Sequence, residues 1–146
     1  MNNAAEQARW AQFAQAAALF AIDPAGLVGI VLRARPGPVR QCWLDQLRSL
    51  LPHGAIWRKM PLHIGDDDLL GGLDLAATLR SGRPVPKRGL LAECDGGVML
   101  LAMAERIEAG VAARLAGVLD TGMVTVERGG MSRRLATRFG IVALDE

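Results

Sequence analysis

The fold is decided by the stretch Gly29-Ile-Val-Leu-Arg-Ala-Arg-Pro-Gly-Pro-Val-Arg-Gln-Cys-Trp-Leu-Asp-Gln-Leu47. A short apolar run, Val28 to Leu32, leads into a sharp turn that is rich in proline and glycine. Apolar residues at helical spacing follow this turn: Trp43, Leu44, Leu47, Leu50 and Leu51. A strand, a glycine-bearing turn and a helix in this order form the layout of a phosphate-binding loop.

The residues of this turn differ from those that phosphate binding needs. A working loop reads G-x-x-x-x-G-K-S/T, and the same frame here reads Ala34-Arg-Pro-Gly-Pro-Val39-Arg40-Gln41. Alanine and valine replace the two glycines, and a β-branched side chain is poorly suited where backbone must approach phosphate. Glutamine replaces the hydroxyl that would hold Mg²⁺. Gly37 and one cation remain, and these residues leave open whether the loop never bound phosphate or has lost the ability.

Composition restricts the class of protein. The chain has 146 residues, 51% of them hydrophobic, which predicts one domain over residues 1–146 with a substantial core. Net charge is +2, which does not favour a nucleic-acid surface. No apolar run reaches the roughly 18 to 20 residues that span a bilayer, and no signal peptide is visible, so a cytoplasmic protein is expected. Cys42 and Cys94 lack zinc-site spacing, and we expect both to be packed in the interior.

Helical and strand patterns alternate along the rest of the chain. The pattern predicts helices over 4–20 and 105–119, strands over 56–62, 98–101 and 139–144, and a β-hairpin of 123–127 with 131–135 around Gly129-Gly130. Residues 69–79 form either two short pieces or a helix that begins near Asp74, and 81–86 is a connector. Apolar strands between helices indicate a three-layer α/β fold with a mostly parallel sheet.

Several segments, taken in order, resemble the AAA+ module of magnesium chelatase, and the D subunit of that enzyme more than the ATP-hydrolysing I subunit. The segments are Asp23-Pro24, the strand-turn-helix, Leu62-x-x-x-Asp66-Asp67-x-Leu69-Leu70-Gly71-Gly72-Leu73-Asp74, Arg88-Gly-Leu-Leu-Ala92, Asp95-Gly-Gly-Val98, Val126-Glu-Arg-Gly-Gly-Met-Ser132 and Ala136-Thr-Arg-Phe139. The resemblance implies an αβα core of the P-loop NTPase type with an inserted β-hairpin. The family's helical lid and C-terminal domain are not found, so a shortened piece of a longer chain is expected.

Two departures from the hydrolysing subunit bear on activity. In the Walker A frame, Gly37, Arg40 and Gln41 are the remaining candidates for contact with a nucleotide. In the Walker B frame, the apolar run 98–101 is followed by Ala102-Met103 where Asp-Glu would stand, and neither side chain can hold Mg²⁺ or orient water. The resemblance therefore implies a domain without ATPase activity or a cofactor of its own. A nucleotide hydrolase that is still active, and a generic α/β interaction module, are the two alternatives.

Arginines near the end of the chain match those that AAA+ rings direct into a neighbour's site. By resemblance, Arg138 is the first candidate for a finger in trans and Arg134 the second; both could instead be surface ion-pair partners. The implied partners are the I subunit ring, further D subunits and the porphyrin-binding H subunit, which together insert Mg²⁺ into protoporphyrin IX. The basic rim of Arg33, Arg35 and Arg40 could hold a phosphate, an acidic neighbour or only solvent. We interpret 66–68 as an acidic loop or helix N-cap rather than a metal site.

Overall fold

The computed structural model of the chain describes residues 3–128 and 130–146. Its strands, in chain order, are β1 (Gly29–Arg33), β2 (Trp57–Met60), β3 (Gly71–Leu73), β4 (Pro86–Arg88), β5 (Val98–Leu101), β6 (Met123–Arg128), β7 (Met131–Ala136) and β8 (Gly140–Asp145). The central sheet has the order β1-β8-β5-β2, and all of its neighbouring strands are parallel. The predicted mostly parallel sheet is thereby confirmed.

Helices cover both faces of this sheet. They are α1 (Asn3–Ile22), α2 (Pro38–Leu50), α3 (Asp66–Leu69), α4 (Leu75–Ser81), α5 (Leu90–Glu93) and α6 (Ala109–Thr121), with a 3₁₀ turn over Ala104–Arg106. In the part of the chain that the structure describes, no helix combines the length and the apolar character needed to cross a bilayer.

The core consists of two apolar clusters, one on each face of the sheet. Along β8, Ile141 packs with the cluster that contains α6, while the next residue, Val142, packs with the cluster that contains α1 and α2. Strand β5 alternates in the same way, with Val98 and Met99 in opposite clusters. Because successive side chains of a strand point to opposite faces, these strands are buried on both sides. The predicted three layers are therefore present.

Two segments differ from their predicted form. The helix expected from residue 105 begins at Ala109, because Ile107 is extended and separates it from the 3₁₀ turn. Residues 69–79 contribute the end of α3, strand β3 and helix α4, which Asp74 caps by accepting a hydrogen bond from Ala77 N at 2.9 Å. The predicted hairpin is confirmed as β6 and β7; Gly129, which the prediction placed in its turn, lies outside the described residues.

The pairing of β3 with β4 was not apparent in the sequence. These antiparallel strands carry α4 between them, and we call residues 71–88 the β3–α4–β4 insertion. Its base is a close backbone crossing: Gly71 has φ +99°, and a Cβ on Gly89 would lie 2.2 Å from Gly71 N. Only glycine fits either position without strain. The insertion is therefore attached to the core at a fixed geometry.

The two cysteines have opposite environments. Cys94 is buried, as expected, and its burial raises the pKa of its thiol to about 12. Cys42 is exposed on α2, so the prediction of interior packing was wrong for this residue. Trp43 and Leu44, which follow it, occupy the helix face that packs on the sheet. The position one residue earlier therefore points to solvent.

Gly97 lies where β5 enters the sheet, and we expect Gly97→Ala to destabilise the fold. A Cβ there would come 2.4 Å from Ile56 O and 2.5 Å from Ile56 Cβ, and overpacking of this kind costs about 1–3 kcal/mol. Gly117 on the exposed side of α6 is the control, since a Cβ there meets nothing within 4 Å. Gly117→Ala should stabilise by about 0.5–1 kcal/mol because alanine favours helix. Urea unfolding of both variants tests this; equal effects would contradict it.

Burial of Cys94 predicts a loss of stability at alkaline pH. The thiol ionises near 9.0 when unfolded and near 12 when folded, so the unfolded state loses its proton first as the pH rises. Stability from the neutral thiol is complete below pH 9 and declines as pH approaches 12, by about 2–3 kcal/mol between pH 8 and 11. Unfolding free energies of the wild type and Cys94→Ala should converge over this range. The matched variant Cys42→Ser should keep the wild-type slope, and an unchanged slope in Cys94→Ala would refute the assignment.

Candidate functional site

The predicted strand-turn-helix is present at the carboxyl end of β1. Gly37 is the residue before α2, with extended backbone at φ 162° and ψ 178°, and Pro38 occupies the first helical position, where no N–H is needed. A Cβ on Gly37 would meet nothing within 4 Å. The glycine is therefore compatible with this turn but not required by it. Gln41 N donates to Gly37 O at 3.1 Å, which closes the first turn of the helix.

Arg40, in the position of the Walker A lysine, is paired with a carboxylate of the same chain. Its Nη1 donates to Glu146 Oε1 at 2.7 Å and to Ala34 O at 3.3 Å. The side chains of Arg40 and Glu146 are only 15% and 22% exposed. A charge-assisted hydrogen bond at this distance is strong, and partial burial limits its screening by water. The carboxylate thus meets the cation at the Walker A lysine position, while Arg35, the other cation of the frame, is exposed and lines the cavity over the loop.

Two more side chains at the loop are also engaged within the chain. Gln41 Nε2 donates along α2 to Asp45 Oδ1 at 2.8 Å, so the residue in the Mg²⁺-ligand position is turned along the helix. Arg33 Nε donates to Asp145 Oδ2 at 2.7 Å, but this arginine is 86% exposed and the pair contributes little stability. Both acidic residues at the end of β8 therefore contact arginines of the loop region.

A cavity of about 460 Å³ lies over the loop, and its walls are mainly apolar. They include Trp10 and Phe13 of α1, Val39 of the loop and Trp43 of α2. Trp43 Nε1 donates to Phe13 O at 2.8 Å, which fixes α1 against α2 at this point. Trp10 and Phe13 are 36% and 48% exposed, and α1 is buried only further along, at Ala17 and Phe20. The lining also includes Arg33, Arg35 and Arg40, so apolar walls and a basic rim share this cavity.

The end of β5 lacks the carboxylates of a hydrolytic site, as predicted from its sequence. Ala102 follows the strand, and Met103 adopts a left-handed conformation at φ 51° before the 3₁₀ turn. The next carboxylate, that of Glu105, accepts a hydrogen bond from Glu146 N at 3.4 Å and lies 3.4 Å from Arg106 Nε. Its described contacts are therefore with the end of β8 and with the adjacent arginine.

The arginines proposed for action in trans lie away from the loop: Arg138 is at the amino end of β8, a central strand of the sheet, and Arg134 is on the separate two-stranded sheet of β6 and β7. Arg138 precedes β8, where its N donates to Asp95 Oδ1 at 2.8 Å and its carbonyl accepts from Gly96 N at 2.7 Å. Its side chain is exposed and passes Gly122 at the end of α6. Arg134 is exposed on β7, opposite Thr125. The six residues of β8 separate Arg138 from Glu146 by about 20 Å, so Arg138 cannot reach the loop of its own chain.

The structure thus groups Gly37, Arg40 and Gln41 in one turn and separates them from both candidate fingers. Sequence reasoning missed Glu146, because a pair between residues 106 positions apart leaves no local signal. Asp66 and Asp68 lie in the first turn of α3 and pair with Arg114 and Lys87. Among residues 3–128 and 130–146 no group of three or more metal-binding side chains occurs.

Known proteins resemble this chain over most of its length. It is 44% identical over 138 residues to the magnesium-chelatase 60 kDa subunit of Cereibacter sphaeroides, which covers 94% of this chain and 21% of that protein. It is 46% identical over 105 residues to the 60 kDa subunit of Rhodobacter capsulatus, and this match covers 72% of this chain and 18% of that protein. The 38 kDa magnesium-chelatase subunit of Rhodobacter capsulatus is 30% identical over 83 residues, covering 57% and 24%. No protein-family profile matches the chain.

A solved structure has the same fold. One chain of a magnesium-chelatase complex between subunits BchI and BchD, reconstructed by cryo-EM, aligns with a TM-score of 0.68 and 22% identity, over 91% of this chain and 51% of that one. This likeness shows a shared α/β fold. The chain spans about a fifth of the length of the 60 kDa relatives. The sequence comparisons therefore identify it as a homologue of one portion of the 60 kDa magnesium-chelatase subunits.

Proposed function

We propose that this chain is a non-hydrolysing AAA+ platform domain of a magnesium chelatase D subunit. It assembles with the ATP-hydrolysing I subunit and supports hydrolysis there rather than in its own loop. The complete enzyme would use that hydrolysis to insert Mg²⁺ into protoporphyrin IX. Further copies of the chain in a ring, and the porphyrin-binding H subunit, are the other proposed partners, and the proposed location is the cytoplasm.

The state of Arg40 is the observation that carries this proposal. A phosphate-binding loop needs a free cation, and here Glu146 Oε1 accepts a hydrogen bond from Arg40 Nη1 at 2.7 Å. Hydrolysis also needs a Mg²⁺ ligand and a group that orients water, and the two frame positions for them carry Gln41 and Ala102-Met103. Homology to the 60 kDa magnesium-chelatase subunits over 94% of the chain supports the choice of enzyme.

The position of Arg138 supports a role in trans. The side chain is exposed at the amino end of β8, away from its own loop, and two main-chain hydrogen bonds fix the position of its backbone. A fixed backbone limits the region that the guanidinium can reach, while the exposed side chain remains free to meet a phosphoryl group of another subunit. Arg134, on the hairpin, is the second candidate.

We expect the wild-type chain to bind Mg-ATP no better than millimolar. Glu146→Ala should tighten the binding of ATP about three- to tenfold, because it frees the Arg40 guanidinium from a pair worth about 1 kcal/mol. Glu93→Ala removes an exposed carboxylate that pairs with Arg58 and is the matched control. Calorimetry of the three proteins measures this. Micromolar binding by the wild type, or phosphate release that Arg40→Ala abolishes, would show an active hydrolase and overturn the proposal.

When the chain is mixed with the I subunit, light scattering after size exclusion should show a larger complex in the presence of ATP than in its absence. Arg138→Ala should remove any ATPase activity that the mixture has above the I subunit alone, since an arginine finger contributes about 10³–10⁵ to the rate. Arg134→Ala tests the second candidate. Arg133→Ala, an exposed arginine on the same strand, is the control. If Arg138→Ala leaves assembly and activity at the wild-type level, the finger assignment is wrong.

A further inference from the structure

Helix α4 of the β3–α4–β4 insertion is fully formed, but no side chain of it is buried against the rest of the chain. None of its seven residues is buried, although Leu75 and Leu79 lie one turn apart on the same face. These two leucines are 71% and 85% exposed. Single exposed leucines are ordinary, whereas two on one face of a helix without a buried side form an apolar stripe. Amphipathic helices normally derive their stability from the apolar face that they pack.

Other interactions hold α4 in place instead. Asp74 caps its start, and Gly82 ends it in a left-handed conformation with a hydrogen bond to Thr78 O. Thr78 Oγ1 accepts from Val85 N at 3.0 Å, and Asp74 N donates to Val85 O at 2.8 Å, so the following loop is tied back to the helix. The helix is therefore ordered before any partner arrives. Preorganisation of this kind lowers the entropic cost of binding.

The surface around the two leucines is basic. Residues 75–92 contain four cations and no acidic residue: Arg80, Arg83, Lys87 and Arg88. Lys87 is neutralised by Asp68 at 2.7 Å, and this contact raises the pKa of its ammonium group. Arg88 donates to Ala92 O. Arg80 and Arg83 are exposed, and no ion pair joins either to a carboxylate within the described ranges.

We propose that α4, through Leu75 and Leu79 with Arg80 and Arg83 beside them, is a docking surface for an acidic face of the I subunit that carries apolar side chains. Charge decides against a two-fold contact between copies of this chain, since it would bring the arginines of both copies together. The leucines supply apolar burial, and the arginines select the sign of charge on the partner. This inference rests on the proposed function for the identity of the partner.

Binding of the I subunit to the chain, measured by interferometry, tests the surface. The double variant Leu75→Gln/Leu79→Gln should weaken binding at least tenfold while keeping helix propensity. Arg80→Gln/Arg83→Gln should weaken it about fivefold and flatten its salt dependence, and Arg80→Glu/Arg83→Glu should weaken it further by repulsion. Ile22→Gln, which alters an apolar side chain 79% exposed on α1, and Arg9→Gln are matched controls that should bind as the wild type does. Circular dichroism should show equal folding, since every altered side chain is exposed.

Four results would overturn this inference. Wild-type affinity in both the leucine and arginine variants places the docking surface elsewhere and leaves the proposed function intact. Binding that Arg80→Glu/Arg83→Glu strengthens would show a basic partner face rather than an acidic one. Absence of binding by the wild-type chain would contradict the proposed function together with the surface. Sedimentation of the chain alone provides the remaining comparison, because self-association that is lost in Leu75→Gln/Leu79→Gln would assign α4 to a second copy.

Discussion

The insertion of β8 between β1 and β5 is the constraint on which the rest of the structure depends. Each of its residues has a parallel partner on one or both sides, and its side chains supply both apolar clusters. The same strand begins two residues after Arg138 and ends next to Glu146. Its length and register therefore set the positions of the exposed arginine and of the carboxylate at the loop. A slip of one residue would exchange the two faces and remove both placements.

The loop after β1 has the strand-turn-helix shape of a phosphate-binding loop but few of the residues that such a loop uses. A tight turn into a helix needs a strand of the right length and an acceptable first helical residue, and Pro38 fulfils the second requirement. Phosphate binding needs more: backbone that can approach the ligand, a free cation and a hydroxyl for the metal. In this chain an acidic side chain meets the cation and aromatic side chains line the space above it. The interactions that keep the turn in place do not require an anion.

Much of the fold could be predicted from local pattern, and the failures have identifiable causes. The strand over 98–101 and the hairpin of β6 and β7 were predicted because continuous apolar runs and glycine turns are local signals. Strands β3 and β4 are three residues long and depend on a crossing of Gly71 and Gly89, which only the folded backbone shows. The loop's altered residues were evident in the sequence, whereas the contact of Arg40 with Glu146 joins opposite parts of the chain. Cysteine is commonly buried, but the position of Cys42 on α2, opposite the buried residues Trp43 and Leu44, decides its exposure.

Arg138 and Arg40 lie at opposite ends of β8, so the two ends of the molecule differ. A contact between two such chains through unlike ends would leave a loop exposed at one end of the pair and an arginine at the other, so a third chain could add by the same contact. Such an assembly has two different ends, and it closes into a ring only when a full turn is a whole multiple of the rotation between neighbours. A subunit of another kind that shares the fold could enter it in two inequivalent ways, facing either the loop end or the Arg138 end. The order of subunits around the assembly would then determine which of them meets Arg138 of this chain.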